Sequence, residues 1–490
     1  MRSAEPSAAG PQLIAYADRL GGDLSGLERV MTDELGDVFD GVHVLPFFRP
    51  FDGADAGFDP EDHGQVDPRL GDWDDLRRLA TGRRVMADLI VNHMSTASAQ
   101  FRRYVAEGDD ADVAPLFLTL SSIFPDGASE DDLARIYRPR PGLPFTPVTI
   151  GGRRRLVWTT FTSQQVDLDV RTPHFWEYLT GVIDALLAGG VTMLRLDAVG
   201  YTGKVAGTDC FMTPESGELV RRISDYAHAR GAQVLLEVHG HHELQIELAR
   251  SVDHVYDFAL PPLLLHALTR GDLAPLVHWL GIRPSNSVNV LDTHDGIGVI
   301  DVARSDSTPA RPGLLTDEQV DRLVTTIHAN SGGTSRLATG DAASNLDLYQ
   351  VNCTYYDALG CDDDALIVAR LVQLFLPGIP QVYYVGLLAG SNDVGLLAAT
   401  GVGRDVNRTH VDRTRLDAAL ARPVVRRQLD AVRLRSRHPA FGGAFSFDHD
   451  GAVLTLRWRH GPDQIVLEVD VASRRYALSG QGATPIPDLR

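Results

Sequence analysis

Four short apolar runs in this 490-residue chain end in polar side chains of the kinds that make and break bonds to carbon. They read Val85-Met86-Ala87-Asp88-Leu89-Ile90-Val91-Asn92-His93, Met193-Leu194-Arg195-Leu196-Asp197, Val234-Leu235-Leu236-Glu237 and Val290-Leu291-Asp292-Thr293-His294-Asp295. Taken singly, an acid at a strand end is as often a helix cap or a solvated loop residue. The combination points elsewhere. Arg195 and Asp197 are two apart, so on a strand they share a face, where the cation holds the carboxylate ionised as a nucleophile requires. Glu237 ends a neighbouring strand beside that negative charge and keeps a proton for a leaving oxygen, which suits a general acid. Asp295, a third carboxylate, can bind sugar hydroxyls and tighten its hold as the ring gains positive charge. His93 and His294 would serve as neutral hydroxyl ligands, although each alone reads as a satisfied core residue. Two carboxyls about 5–5.5 Å apart give double displacement with retention, and about 6.5–9.5 Å leaves room for water and inversion. Adjacent strands favour the shorter spacing.

The elements that must carry these groups recur along the chain. Runs of strand character begin near Leu13, Val42, Val85, Val191, Val234, Val255, Val288 and Val382, separated by stretches of helical period. That alternation predicts a (β/α)8 barrel, whose reactive groups gather at the C-terminal ends of its strands. The helix after Thr172 shows the local logic: Thr172 caps, Pro173 opens the first turn, and Phe175, Leu179, Val182, Ile183 and Leu186 fall on one face. About 80 residues separate the third strand from this helix and about 70 separate the seventh strand from Ala365, too long for ordinary connections. The expected organisation is a first barrel part (1–93), an inserted subdomain (94–171), the middle of the barrel (172–296), a second insertion (297–360), the last barrel part (361–441) and a small terminal β-domain (442–490). In that last region Val453, Leu454, Leu456, Trp458 and then Ile465, Val466, Leu467, Val469 alternate as strands do.

Composition narrows the function. Hydrophobic residues at 44% and charged residues at 23% suit a soluble globular chain. A net charge of −19 disfavours nucleic acid and anionic membranes as partners, so an anionic substrate needs a local arginine cluster. Nearly all basic charge is arginine; Lys204 is the sole lysine, which reads as a compositional bias. Cys210, Cys353 and Cys361 have neither metal-ligand spacing nor a complete pairing and read as buried, reduced thiols of a cytosolic protein. The small, polar N-terminus lacks a secretory apolar core, and the most apolar stretch, 366–388, is interrupted by Arg370, Pro377 and Pro380, so no membrane span is expected. The histidines of Val238-His239-Gly240-His241-His242 read as a solvated loop, with no zinc, calcium or other metal expected. No cofactor is expected either: Lys204 could form a pyridoxal Schiff base, but its barrel-loop context argues against one.

In this order the four segments resemble the four motif regions of the α-amylase superfamily of glycoside hydrolases. Asp88-x3-Asn92-His93, Arg195-x-Asp197, Glu237 and His294-Asp295 fill every catalytic position, which a catalytically silent sugar-binding scaffold would not need. Within the superfamily the chain is similar to the sucrose phosphorylase family from about Gln12 into the terminal β-domain. The strings DGADAGFDP (52–60), RPRPGLPFT (138–146), RLDAVGY (195–201), VLDTHDGIGVID (290–301), SNLDLYQVN (344–352) and GRDVNR (403–408) carry that likeness. The segment Gly240-His241-His242-Glu243 departs from it, where the family is more aromatic and basic.

The resemblance implies Asp197 as nucleophile, Glu237 as acid/base and Asp295 as the third catalytic acid. It implies that Asp55, Phe58, His93, Arg195, His294 and Arg404 join them around the transferred glucosyl group, with Phe58 as its aromatic platform and Asp55 meeting Arg404 at the far wall. On the acceptor side it implies Arg140, Phe161, Gln165, Tyr201, Asp347, Tyr349 and Gln350, with the loops around Arg140 and Leu346 to Gln350 mobile and contacting fructose and phosphate in turn. Arg140 would offset the repulsion between phosphate and the carboxylates, about 1–4 kcal/mol per pair. The substrates implied are sucrose and inorganic phosphate, handled by a cytoplasmic homodimer. Related phosphorylases for sucrose 6'-phosphate, glucosylglycerol or glucosylglycerate, and a transglucosylase, are the rival readings.

Overall fold

The computed structural model describes residues 10–138, 142–305, 310–338 and 350–482. Eight parallel strands close a barrel in chain order: β1 (Gln12–Ala15), β2 (Gly41–Val44), β3 (Arg84–Ile90), β4 (Met193–Asp197), β5 (Gln233–Leu236), β6 (His254–Asp257), β7 (Ser287–Asn289) and β8 (Ile379–Tyr383). The register is continuous around the ring, from Leu13 beside Val42 and Asp88 beside Arg195 to Val288 beside Ile379 and Gln12 beside Gln381. The strands are buried on both faces, which explains why their sequences read as unbroken apolar runs. One strand departs from its sequence reading: β8 starts three residues before Val382 and runs through Pro380, a residue type that ordinarily marks a strand edge. Gly378, at φ +111°, makes this approach possible, because a Cβ there would lie 2.1 Å from the Ser287 carbonyl oxygen.

The helix Pro173–Ala188 forms as its sequence dictates. Thr172 accepts from the Phe175 amide as N-cap, Pro173 occupies the first turn, and Phe175, Leu179, Val182, Ile183 and Leu186 are its buried face. Between β3 and this helix, the strand His93–Ser95 pairs antiparallel with Gln165–Asp167, after a helix (Ala99–Glu107) and a hairpin (Phe145–Ile150 with Arg153–Trp158). That pairing sets Asp167 against His93 and brings the insertion over the end of β3.

The chain ends in a four-stranded antiparallel meander, β9 (Ala444–Asp450), β10 (Val453–His460), β11 (Asp463–Asp470) and β12 (Arg475–Gln481). Leu454, Leu456, Trp458, Ile465, Leu467 and Val469 are its buried apolar residues, and Trp458 donates to the Phe375 carbonyl at 2.6 Å, pinning the sheet to the barrel. The apolar stretch 366–388 resolves into a helix (Asp363–Phe375), β8 and a short turn. Among the described residues no helix is long and apolar enough to cross a membrane. Cys210 and Cys353 are buried, whereas Cys361 is exposed, correcting the expectation for that thiol.

Candidate active site

The site is built outward from Arg195. In the pairing of β3 and β4 this residue stands beside Asp88, and both are buried. Its Nη1 donates to Asp88 Oδ1 at 2.5 Å and to Asp197 Oδ1 at 2.8 Å, while Nη2 is 4.0 Å from Glu237 Oε1. His43 Nε2 lies 3.1 Å from the other oxygen of Asp88. Burial raises the Asp88 carboxyl, but Arg195 and His43 outweigh it and hold the group down at about 2. Asp197 behaves differently. Burial pushes it well above the usual carboxylate range, Glu237, Asp88 and Asp295 push the same way, and Arg195 opposes them. Arg195 is thus the cation that favours the carboxylate form of Asp197 against burial and its acidic neighbours.

Asp197 closes β4, and the next residue, Ala198, turns left-handed at φ +56°. A residue with a Cβ is strained there. The turn aims the Ala198 amide at Glu237, donating to Oε2 at 3.2 Å, so nucleophile strand and acid/base are locked through the backbone.

Asp295 follows β7. Burial would raise it, but Arg404, with Nη1 at 2.8 Å from Oδ1, and then Arg195 and Arg408 hold it well below the usual carboxylate range. His294 is pushed down to about 3, mainly by burial, so its ring is neutral; its ring stacks on Phe58 with centroids 4.8 Å apart and planes 9° apart. Burial also lowers the His93 pKa, and its Nε2 lies 2.9 Å from the Phe58 carbonyl oxygen and 3.1 Å from the Gln165 amide. The same amide reaches Asp55 Oδ2 at 3.5 Å. Asp55, Phe58, His93, Gln165, Asp197, Glu237, His294, Asp295 and Arg404 thus line one pocket, with Arg195 beneath it. Asp55 and Arg404 both belong to that lining.

One side of the pocket is aromatic: Phe161 meets His93 edge-on at 5.3 Å and Tyr201 at 5.0 Å. Gln350, on the strand Gln350–Val351, completes the rim and contacts His239 Nε2 at 3.3 Å. Arg140, Asp347 and Tyr349 lie outside the described residues.

Local pattern did not reveal two groups. His239, read as solvated, is buried, as is His242; the ring of His239 is clamped between Asp301 and the pocket, with Nε2 3.6 Å from Glu237 Oε1. The sole lysine is likewise no accident of composition. Lys204 is buried, 2.8 Å from Asp167 Oδ2 and 2.9 Å from Thr160 Oγ1, and it also donates to the Tyr201 carbonyl. It ties the insertion to the loop after the nucleophile. Its oddity in an arginine-rich chain was the one available signal. Among the described residues, Glu237, His239 and Asp295 are the grouping able to offer three ligand atoms, within 4.8 Å of one another, to a metal ion. All three already have protein partners in Ala198, Asp301 and Arg404.

Comparison with known proteins agrees with this architecture. The family model described as "Alpha amylase, catalytic domain" matches residues 15–236. A sucrose phosphorylase of Bifidobacterium adolescentis is 54% identical over 98% of this chain and 95% of that protein. A sucrose phosphorylase of Agrobacterium vitis is 52% identical over 96% of this chain and 97% of that one. The crystal structure of sucrose 6F-phosphate phosphorylase from Thermoanaerobacter thermosaccharolyticum superposes with a TM-score of 0.90 at 35% identity, covering 98% of this chain and 96% of its own. With identity above half along almost the whole length and an eight-stranded barrel beneath it, the chain belongs to the sucrose phosphorylase family of the α-amylase superfamily.

Proposed function

We propose that the protein phosphorolyses sucrose with retention, giving α-D-glucose 1-phosphate and D-fructose. The observation that carries this reading is the convergence of Asp197 and Glu237 on Arg195, at the ends of adjacent strands, in a chain 54% identical to a sucrose phosphorylase. Asp197 attacks the anomeric carbon as Glu237 gives its proton to the glycosidic oxygen; fructose leaves and a β-glucosyl ester remains. A phosphate oxygen then bonds to that carbon as the Asp197 carboxylate departs, and Glu237 takes back a proton from the phosphate hydroxyl. Asp295, ionised by Arg404, holds sugar hydroxyls and favours the positively charged transition state.

In this reading the glucosyl group sits among Asp55, Phe58, His93, Arg195, His294 and Arg404. Fructose and phosphate alternate against Phe161, Gln165, Tyr201 and Gln350, with Arg140, Asp347 and Tyr349 joining from the loops. The inserted stretches 94–171 and 297–360 act as subdomains shaping that acceptor side, and 442–490 as a supporting β-domain. We further infer a cytoplasmic homodimer with small-molecule substrates, independent of nucleic acid and membrane.

The test is release of fructose and glucose 1-phosphate from sucrose in inorganic phosphate, with sucrose 6'-phosphate, glucosylglycerol and glucosylglycerate as parallel donors. Preference for sucrose supports the reading. Preference for another donor moves the specificity, and glucose release indifferent to phosphate means a hydrolase.

A further inference from the structure

We propose that Asp301 is a positioning residue for the acid/base, and that through His239 it sets a cation beside Glu237 which favours an anionic acceptor over a neutral one. The inference rests on the phosphorolytic reading above. Asp301 lies beyond β7, is fully buried and does not line the pocket. Its Oδ2 accepts from His239 Nδ1 at 2.8 Å, and its Oδ1 accepts from the Gly240 amide at 3.1 Å and from Gln245 Nε2 at 2.9 Å. All three donors come from the segment directly after Glu237, so a single carboxylate anchors the loop that carries the acid/base.

The ring itself is fixed twice. Phe258 stacks on it, centroids 3.9 Å apart and planes 15° apart, and the bond to Asp301 fixes which nitrogen faces inward. Nε2 then points at Glu237 Oε1, 3.6 Å away, and at the Gln350 amide. An amide can present either end, so the Gln350 contact serves the neutral ring and the protonated one. Gly298 leaves the space the pair needs: a Cβ there would be 2.3 Å from Asp301 Oδ2 and 3.3 Å from His239 Nδ1.

The surrounding charge favours the protonated ring. Burial lowers the His239 pKa, but Asp301, then Glu237 and Asp295, reverse this and raise it. Arg195 near Glu237 and Arg404 on Asp295 are the cations behind those two acids. After Glu237 has given up its proton, phosphate must approach two carboxyl groups, and an imidazolium at this place offsets that repulsion. Water and neutral alcohols have no such need.

The experiment compares phosphate with glycerol and water as acceptors for the glucosyl group of sucrose, using the unaltered protein and Asp301→Asn. The expected result is a loss of kcat/KM for phosphate at least tenfold greater than the loss in transfer to glycerol or water, with the alkaline limb of phosphorolysis moved to lower pH. Equal losses with an unmoved pH profile would reduce Asp301 to a structural role and overturn the proposal. If Asp301→Asn does not fold, nitrogen NMR of the unaltered protein decides, with His239 assigned through His239→Gln. A ring protonated on both nitrogens at pH 7 supports the proposal, and a neutral ring overturns it. That readout is independent of the donor, so failure of the unaltered protein to phosphorolyse sucrose counts against the proposed function alone.

Discussion

Arg195 donates to Asp197 at 2.8 Å and, with the same Nη1, to Asp88 at 2.5 Å, so one nitrogen is shared between two buried carboxyls. Asp197 is consequently a stability liability that the fold tolerates for chemistry. Its folded pKa lies above the unfolded value, so its contribution is most favourable at low pH and is lost as pH rises through the folded value. Asp197→Asn should lower kcat by about 10⁴-fold or more and raise Tm by about 2 °C, with the gain larger at pH 8 than at pH 5. Steady-state rates and calorimetry at the two pH values check both parts. A variant that retains turnover would remove Asp197 from the role of nucleophile.

Asp295 has the opposite sign. Arg404 leads the groups that hold it ionised against burial, so the pair's stability is present above the unfolded carboxyl pKa and is lost as pH falls through the depressed one. Arg404→Gln should cost about 100-fold in kcat/KM and move the acid limb of the activity profile upward. An acid limb that stays in place would show that the other cations suffice.

Lys204 and Asp167 form a buried pair 2.8 Å apart. Removing one partner strands the other charge, so Lys204→Met should lose about 3–5 kcal/mol in urea unfolding. Adding Asp167→Leu should recover part of that loss. A Lys204→Met chain as stable as the parent would mean that Asp167 is satisfied by Thr160 alone.

Ala198 carries a left-handed strain of about 1 kcal/mol at the residue whose amide meets Glu237. Ala198→Gly should relieve it and stabilise the fold with activity retained. Ala198→Val should shift that amide and lower kcat on the order of 100-fold. Parallel melts and rate measurements of the two variants separate backbone relief from misplacement.

How far the sequence could be read depended on where each residue's partners lie. The barrel strands were legible because burial on both faces leaves unbroken apolar runs such as Val85 to Val91, and the polar residue ending each run announced the site. Arg195 and Asp197 were legible as a pair because strand periodicity alone puts them on one face. The upward push on Asp197 from burial and from Asp88 and Glu237 was not, since those acids come from other strands. His239 looked like a loop residue because the carboxylate that holds it, Asp301, is 62 residues away. Lys204 meets Asp167 and Thr160 across an insertion that no local pattern predicts to fold back.

The ring of strands has one seam, between β1 and β8, and it joins the two most distant parts of the barrel. Gln381 donates to Gln12 at 2.8 Å across a separation of 369 residues, and Arg19 donates to the Arg408 carbonyl at 2.6 Å. During synthesis at about 5–20 residues per second, β1 waits roughly 20–70 s for its second neighbour, with one edge unpaired. Arg404 and Arg408, the cations that settle Asp295, leave the ribosome later still. A chain ending between the closing strand and Arg404 would have every strand of the barrel and yet lack both of these cations, so the charge of the pocket is completed after its walls.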